Sequence, residues 1–246
     1  MKILNAVTCF VFICFSTSIT KAEDKELNAN QRFFYIGGEI GLVEPVKNKF
    51  IHKHSKTEIT LKKSSMYSFN AGYSFYPQMS IELSTTYQPK YRLSYIIPEK
   101  TLANGLVIPK TPGKTRVFSN IYMANIIYDL QNYNGFVPYV IMGVGIAKVK
   151  VKPVTSKLDT LGNIDFFRVK TTHTNCLAWQ LGIGMSKEIT DNLSVNLSAK
   201  LQIANNVKID YETLNMATQQ FESASPIKKT IGVGEFGMGF TYKLPI

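Results

Sequence analysis

Two neighbouring segments near the middle of the chain alternate large apolar side chains with small or polar ones. From Leu193 to Gln202 every second residue is apolar, and the residues between are Ser, Asn, Lys or Gln. The segment Cys176–Ser186 alternates in the same way. A period of two predicts β-strands, and Thr190-Asp191-Asn192 predicts the turn of a hairpin. The apolar face runs along about ten residues, the length of a tilted membrane-spanning strand, although a soluble sandwich can alternate similarly.

The same alternation recurs along the rest of the chain and predicts eight strands in all. The other six are Phe33–Val43, Met66–Tyr76, Met79–Tyr87, Arg116–Leu130, Val137–Val151 and Thr230–Leu244. Four connections are long, namely Glu44–Ser65, Tyr91–Thr115, Lys152–Thr171 and Ile209–Pro226. They alternate with short turns, as an up-and-down barrel with turns at one end and loops at the other requires. Pro98, Pro109 and Pro112 argue against a regular central strand within the second long connection.

Aromatic residues cluster near the strand ends, as interfacial girdles do in membrane barrels. They are Phe33, Phe34, Tyr76, Tyr87, Tyr128, Tyr139 and Tyr242. We therefore predict an all-β fold, an eight-stranded antiparallel up-and-down transmembrane β-barrel with short periplasmic turns and four long extracellular loops.

The N-terminus has the pattern of an export signal. Met1-Lys2 precedes an apolar run, and Thr20-Lys21-Ala22 places small residues at −3 and −1 of a cleavage site. We predict a signal peptide at 1–22, a periplasmic leader at 23–32 and the barrel at 33–246. Of the three cysteines only Cys176 would then remain, which excludes an internal disulfide. By parity Cys176 faces inward and is expected to be a small buried hydrophobic residue.

The formal net charge of +11 narrows the range of possible binding partners. A basic balance favours nucleic acid, a membrane surface or acidic glycans, and export of the chain argues against nucleic acid. Much of the charge lies in the first long loop, which contains Lys47, Lys49, Lys53, Lys56, Lys62 and Lys63. These lysines would either bind sulfated glycans or acidic host proteins, or neutralise lipopolysaccharide phosphates of the cell's own outer leaflet.

Four charged residues are expected on the inward face of four different strands: Glu39, Glu82, Lys200 and Glu235. Side chains fill the interior of an eight-stranded barrel, which favours an internal ion network. The alternative is a narrow pore, in which three carboxylates against one lysine would favour cations, if Gly143, Gly145, Gly182 and Gly184 leave a water column.

The sequence gives little support for a catalytic site or a metal site. His52 and His54 are one residue apart, but no third ligand accompanies them, so we predict neither metal nor cofactor. Some barrels of this size modify lipid A with a His and Ser constellation near the outer rim. His173, Ser119 and Asp165 are the conceivable residues here, yet no recognisable motif joins them, and we predict that the protein is not an enzyme.

A family resemblance rests on Asn125 with Tyr128-Asp129-Leu130, on Pro138-Tyr139-Val140 with Gly143-Val144-Gly145, and on a Gly-rich last strand. These residues resemble the OmpA-type eight-stranded outer-membrane barrels, and more closely the opacity-like surface antigens and small rickettsial-type adhesins. The last strand also resembles the signal read by the outer-membrane assembly machinery, with Gly237, Phe240 and Tyr242 as its positions.

The resemblance implies a bacterial outer-membrane surface protein, in contact with membrane lipids and lipopolysaccharide, whose loops bind a host surface, matrix or serum protein or a sulfated glycan. Two alternatives stay open. One is a structural envelope barrel or narrow channel, and the other is a lipid A-modifying barrel enzyme.

Overall fold

The computed structural model describes residues 32–46, 49–51, 58–97, 99–101, 107–108, 110–158, 164–215, 218, 220–223 and 225–244. In chain order the strands are β1 (Phe33–Pro45), β2 (Lys49–Ile51), β3 (Glu58–Leu61), β4 (Ser64–Tyr76), β5 (Met79–Ile97), β6 (Lys100–Thr101), β7 (Val107–Ile108), β8 (Thr111–Asp129), β9 (Phe136–Val151), β10 (Val154–Leu158), β11 (Ile164–Val169), β12 (Thr172–Thr190), β13 (Leu193–Ile209), β14 (Tyr211–Asn215), β15 (Gln220–Ser223) and β16 (Ile227–Leu244). None of the described segments is a helix long and apolar enough to cross a membrane. The predicted signal peptide and most of the leader lie outside the described residues.

Eight long strands form one closed antiparallel sheet, in which each strand pairs with the next long strand along the chain. The order is β1, β4, β5, β8, β9, β12, β13 and β16. β1 also pairs with β16, with Glu39 opposite Gly239, and this pairing completes the ring. The predicted barrel is thereby confirmed.

Three short turns lie at one end of the barrel, together with the start of β1 and the end of β16; we call it the turn end. The turn between β8 and β9 places Asn134 and Gly135 at φ 51° and 82°. The Gly135 N–H donates to Asn132 Oδ1 at 2.9 Å. Asn and Gly are the residues that adopt this left-handed backbone most readily, which explains the tight reversal.

The outward face carries large apolar side chains whose exposed fractions are much higher than those of a water-soluble protein. Leu42, Phe69, Leu83 and Leu177 have exposed fractions of 64%, 68%, 69% and 64%. They belong to the outward sets predicted from alternation, and their neighbours along each strand face inward. A contiguous apolar belt of this kind requires an apolar solvent around the barrel.

The second long connection is shorter than predicted, and this part of the prediction is wrong. β5 continues through Tyr91 to Ile97, and β8 begins at Thr111, so that the two strands pair beyond the expected boundary. Pro89 is accommodated because it lies at a bulge between Gln88 and Tyr91, where no regular ladder hydrogen bond is needed. Proline therefore bends this strand without ending it.

The end opposite the turns, called the loop end, carries a second sheet. β10, β11, β14 and β15 form four strands in that order. β10 and β11 come from the connection between β9 and β12, whereas β14 and β15 come from the connection between β13 and β16. β11 pairs with β14, with Arg168 opposite Glu212. We call these four strands the loop-end sheet.

Candidate functional site

The barrel interior near its middle holds one ion pair between neighbouring parts of the wall. Lys200 Nζ of β13 lies 2.5 Å from Glu39 Oε2 of β1, and both side chains are largely shielded from solvent. Ser198 Oγ also donates to Glu39. Glu235 lies opposite Lys200 in the ladder and is only 1% exposed. The structure therefore brings three of the four predicted interior charges together around one ammonium group.

Amide side chains, rather than further ion pairs, extend this cluster across the lumen. Gln88 Nε2 donates to Glu235 Oε1 at 2.5 Å and to Gln202 Oε1 at 3.2 Å. Gln202 in turn donates to Gln180 at 3.4 Å, and Gln180 donates to Asn125 at 2.6 Å. The network thus joins strands on opposite sides of the barrel.

Glu82, the fourth predicted interior charge, lies at the far end of this network. Asn125 Nδ2 donates to Glu82 Oε1 at 2.9 Å, and Tyr35 donates its hydroxyl to Glu82 Oε2 at 3.5 Å. Glu82 meets no cationic side chain within hydrogen-bond distance among the described residues. The four amides of the network were not among the predicted site residues. The inward parity of Asn125, Gln180 and Gln202 was readable from the sequence, whereas Gln88 lies just beyond the predicted third strand. The partners of these amides across the lumen were not readable.

Inward glycines leave room for these side chains and not for a water column. A Cβ built on Gly143 would collide with the side chain of Asn125, and one built on Gly237 would collide with Glu39. A Cβ built on Gly182 would likewise collide with the side chain of Lys200. The space beside each glycine is therefore filled by a neighbouring strand's side chain. This arrangement does not support the pore alternative.

Towards the loop end the interior becomes mainly apolar, with buried hydroxyl groups such as those of Ser119 and Thr174 between the apolar side chains. The buried cluster there includes Val43, Met66, Tyr91, Leu93, Val117, Met123, Val149, Val151, Cys176 and Val207. Cys176 is buried as predicted, and its thiol donates to Ala147 O at 3.5 Å. We call this cluster the apolar plug, because it fills the lumen between the polar network and the loops.

The predicted loop lysines are only partly within the described chain. Lys62 and Lys63 are exposed at the loop end, and Lys63 Nζ lies 3.1 Å from Glu44 Oε2. Lys49 belongs to the short strand β2. Lys47, Lys53 and Lys56, together with His52 and His54, lie outside the described residues.

Aromatic and ionic contacts hold the loop-end sheet together. Phe167 of β11 packs between Tyr95 of β5 and Tyr211 of β14, at ring-centroid distances of 5.6 and 5.5 Å. Lys170 Nζ lies 2.7 Å from Glu212 Oε1. The hydrogen bond and charge of Lys170 lower the pKa of Glu212, so that the carboxylate stays ionised to a lower pH than an isolated glutamate. Loops from two connections are thereby fixed to each other and to the barrel wall.

The conceivable catalytic residues do not come together. His173 is exposed on the outward face of β12, whereas Ser119 is buried on the lumen side of β8. Asp165 lies on β11, within the loop-end sheet. Among the described residues, no group of three His, Cys, Asp or Glu side chains is placed to hold a metal ion.

The predicted assembly positions lie on β16. Phe240 and Tyr242 are exposed on the outward face, 56% and 41%, where lipid or another protein would contact them. Gly237 faces inward, against Glu39. The aromatic pair therefore has an accessible surface, and Gly237 has a packing role within the barrel. A role in assembly stays a prediction.

A closed antiparallel barrel with an apolar outward belt and a polar, filled lumen defines a transmembrane β-barrel protein. Comparison with known proteins gives the family. The model described as outer membrane protein beta-barrel domain matches residues 8–243, and the chain belongs to that family. The protein is thus located in the bacterial outer membrane, with its loop end exposed at the cell surface.

Relatives and solved structures agree with this assignment. The uncharacterized protein RP788 of Rickettsia prowazekii (strain Madrid E) is 54% identical over 180 residues, which is 73% of this chain and 99% of that protein. Outer membrane protein PagN of Salmonella typhimurium (strain LT2) is 30% identical over 129 residues, 52% of this chain and 51% of its own length. The crystal structure of OprG from Pseudomonas aeruginosa matches with a TM-score of 0.53 at 13% identity, covering 91% of this chain and 100% of OprG, which shows the shared fold.

Proposed function

We propose that this outer-membrane barrel is an adhesin whose extracellular loops bind a host surface, matrix or serum protein or its sulfated glycans. The loop-end sheet carries the proposal, because it orders two connections that are distant in sequence through the pairing of β11 with β14. Ordering loops costs conformational entropy, and a barrel that only stiffens a membrane gains nothing from it. A preformed surface, by contrast, loses less entropy when a partner binds.

The charge of the first long loop indicates which chemical groups a partner would carry. The first long loop contains six lysines, Lys47, Lys49, Lys53, Lys56, Lys62 and Lys63, against Glu44 and Glu58. Clustered ammonium groups attract sulfate and carboxylate groups over long range, and salt screens this attraction. Binding through the loop would therefore weaken as ionic strength rises.

The test uses bacteria that display the protein and measures their binding to immobilised heparan sulfate, matrix proteins and serum proteins across a salt series. One variant replaces the six lysines by glutamine. Its matched control replaces the same six by arginine, which keeps the charge. We expect the glutamine variant to lose at least tenfold in binding and the arginine variant to retain it.

The adhesin is contradicted if no immobilised ligand retains cells above a vector control. If both lysine variants bind as the wild type does, the first loop takes no part in the interaction.

A structural envelope barrel is the second candidate, favoured by the filled lumen described above. We also propose that the protein has no enzymatic activity, because His173 and Ser119 lie on opposite faces of the wall. His173→Ala should then leave the lipid A of the host strain unchanged by mass spectrometry. A changed lipid A profile that depends on His173 would establish an enzyme instead.

A further inference from the structure

Basic side chains form a patch on the outward wall of the barrel, directly beyond the apolar belt. Along β9 the outward series runs from Val144 and Ile146 to Lys148 and Lys150, and Lys152 continues it directly after the strand. The change from aliphatic to basic takes place between consecutive outward positions, about 7 Å apart along a strand. These lysines therefore lie where the hydrocarbon ends and the headgroups of the outer leaflet begin.

Neighbouring strands add two arginines at the same height. Arg92 of β5 lies opposite Arg116 of β8, and both are exposed. The Lys152 N–H donates to Arg116 O at 2.9 Å, which places β9 alongside. We call Arg92, Arg116, Lys148, Lys150 and Lys152 the lateral basic patch. With strands about 4.8 Å apart, its five charges fall within about 15 Å on one wall.

Aromatic rings hold two of these ammonium groups. Lys148 Nζ lies 5.2 Å from the centroid of the Tyr122 ring, and Lys152 Nζ lies 5.2 Å from that of Phe118. In both pairs the ring belongs to a row of the wall nearer the apolar belt, as the pairing of β8 with β9 shows. The lysines thus lean towards the membrane, and cation–π attraction keeps their charges at its boundary.

The patch carries uncompensated positive charge. Among the described residues, no carboxylate forms an ion pair with Arg92, Arg116 or Lys150, and the outward positions of β5, β8, β9 and β12 contain no Asp or Glu. Like charges directly opposite on paired strands destabilise a sheet. An anionic ligand spanning both arginines would remove that repulsion.

The opposite wall, formed by β13, β16 and β1, contains no arginine. There the positions beyond the apolar belt include Val46, which is exposed, and Gly232, whose carbonyl accepts from Val46 N at 3.0 Å. Lys63 is paired with Glu44 at 3.1 Å. On that wall Lys208 of β13 lies opposite Lys228 of β16 and both are exposed, but among the described residues neither lies over an aromatic ring. The lateral basic patch therefore differs from the opposite wall by its two arginines and its aromatic contacts, and not by positive charge alone.

We infer that the lateral basic patch binds the phosphate groups of lipopolysaccharide in the cell's own outer leaflet. Guanidinium groups bind phosphate oxygens in a bidentate manner, and ammonium groups add point charges. The patch faces sideways at headgroup height, where a phosphorylated glycolipid lies, whereas a host macromolecule approaches the loop end. The inference is independent of the proposed adhesin function.

The experiment measures how much lipopolysaccharide is retained per barrel after affinity purification of the full-length protein from mixed detergent micelles. The patch variant combines Arg92→Gln, Arg116→Gln and Lys150→Gln. The matched control, Lys208→Gln with Lys228→Gln and Lys229→Gln, removes the same charge from the opposite wall near the loop end. Three lipids are compared: intact lipopolysaccharide, the same lipid stripped of phosphate, and phosphatidylglycerol.

We expect the patch variant to retain at least tenfold less intact lipopolysaccharide, since each basic residue near an anionic leaflet contributes several-fold to binding. The control variant should stay within about twofold of the wild type, and phosphate removal should abolish the difference between them. The inference is overturned if both variants lose the same amount of lipopolysaccharide, or if retention does not depend on the phosphate groups. If the wild type retains as much phosphatidylglycerol as lipopolysaccharide, and the patch variant loses both, the assignment to lipopolysaccharide is overturned. Circular dichroism verifies that each variant is folded.

Discussion

Lys200 shows how much a single interior residue depends on its partners. It is the only cation within the polar network of the described lumen, and it contacts Glu39 directly. The inward parity of Glu39, Glu82, Lys200 and Glu235 was predictable, because alternation alone decides which face of a strand a residue occupies. Which of them would meet was not predictable, since that depends on strand stagger around the whole ring.

Replacement of Lys200 by methionine should destabilise the barrel by about 3 kcal/mol, because it leaves the Glu39 carboxylate buried without its counter-charge. Urea-induced unfolding in lipid vesicles measures the change. The double variant Glu39→Gln with Lys200→Met should recover part of the loss, since it neutralises Glu39 and leaves only Glu235 buried without its nearby cation.

Lys243 provides the matched control. It forms an ion pair with Glu188 at the turn end, where Glu188 is 56% exposed. Surface pairs contribute about 1 kcal/mol or less, so Lys243→Met should change the free energy of unfolding by no more than that. If Lys200→Met and Lys243→Met cost the same, the interior pair has no special role in stability.

At the scale of the element, periodicity predicted where β1 lies and which face of β1 contacts lipid. It failed for the second half of β5, because the bulge that contains Pro89 interrupts the alternation and shifts its phase. The residues from Tyr91 onwards then alternate in a new register, with Tyr91, Leu93 and Tyr95 buried. A bulge changes the pattern that sequence analysis uses, even though the strand continues.

The pairing of β11 with β14 also lay beyond sequence analysis. The two strands are short, come from different connections, and carry no alternation long enough to separate a strand from a loop. Phe167 joins them by packing against Tyr211 and against Tyr95 of the barrel wall. Only the closed barrel brings these two connections next to each other.

Phe167→Ala should therefore loosen the loop-end sheet without unfolding the barrel. We expect trypsin added to intact cells to cleave near Arg168 and Lys170 about tenfold faster, which corresponds to a loss of about 1.4 kcal/mol in local stability. Phe136→Ala is the control, because Phe136 lies beside Lys187 at the turn end, out of reach of an external protease. Unchanged cleavage in Phe167→Ala would mean that the aromatic contacts do not hold the sheet.

At the scale of the whole molecule, the barrel divides along its axis into two differently filled parts. The polar network occupies the middle, and the apolar plug follows towards the loops. The sequence indicated that the lumen would be filled. It did not show the division, because the plug uses residues such as Tyr91 and Leu93 that were assigned to a loop.

The division of the lumen makes a prediction about the channel alternative, which a measurement of ion conduction can test. An ion entering from the turn end would meet Glu39, Lys200 and Glu235 and then the apolar plug. The buried polar groups among the plug residues are neutral hydroxyls, those of Ser64, Thr115, Ser119, Thr172 and Thr174. Moving a bare charge into such surroundings costs many kcal/mol. We expect no discrete conductance steps when the purified barrel is inserted into a planar bilayer in which an open porin gives them. Steady, cation-selective steps would instead mean that water passes the apolar plug and that the three carboxylates line a pore.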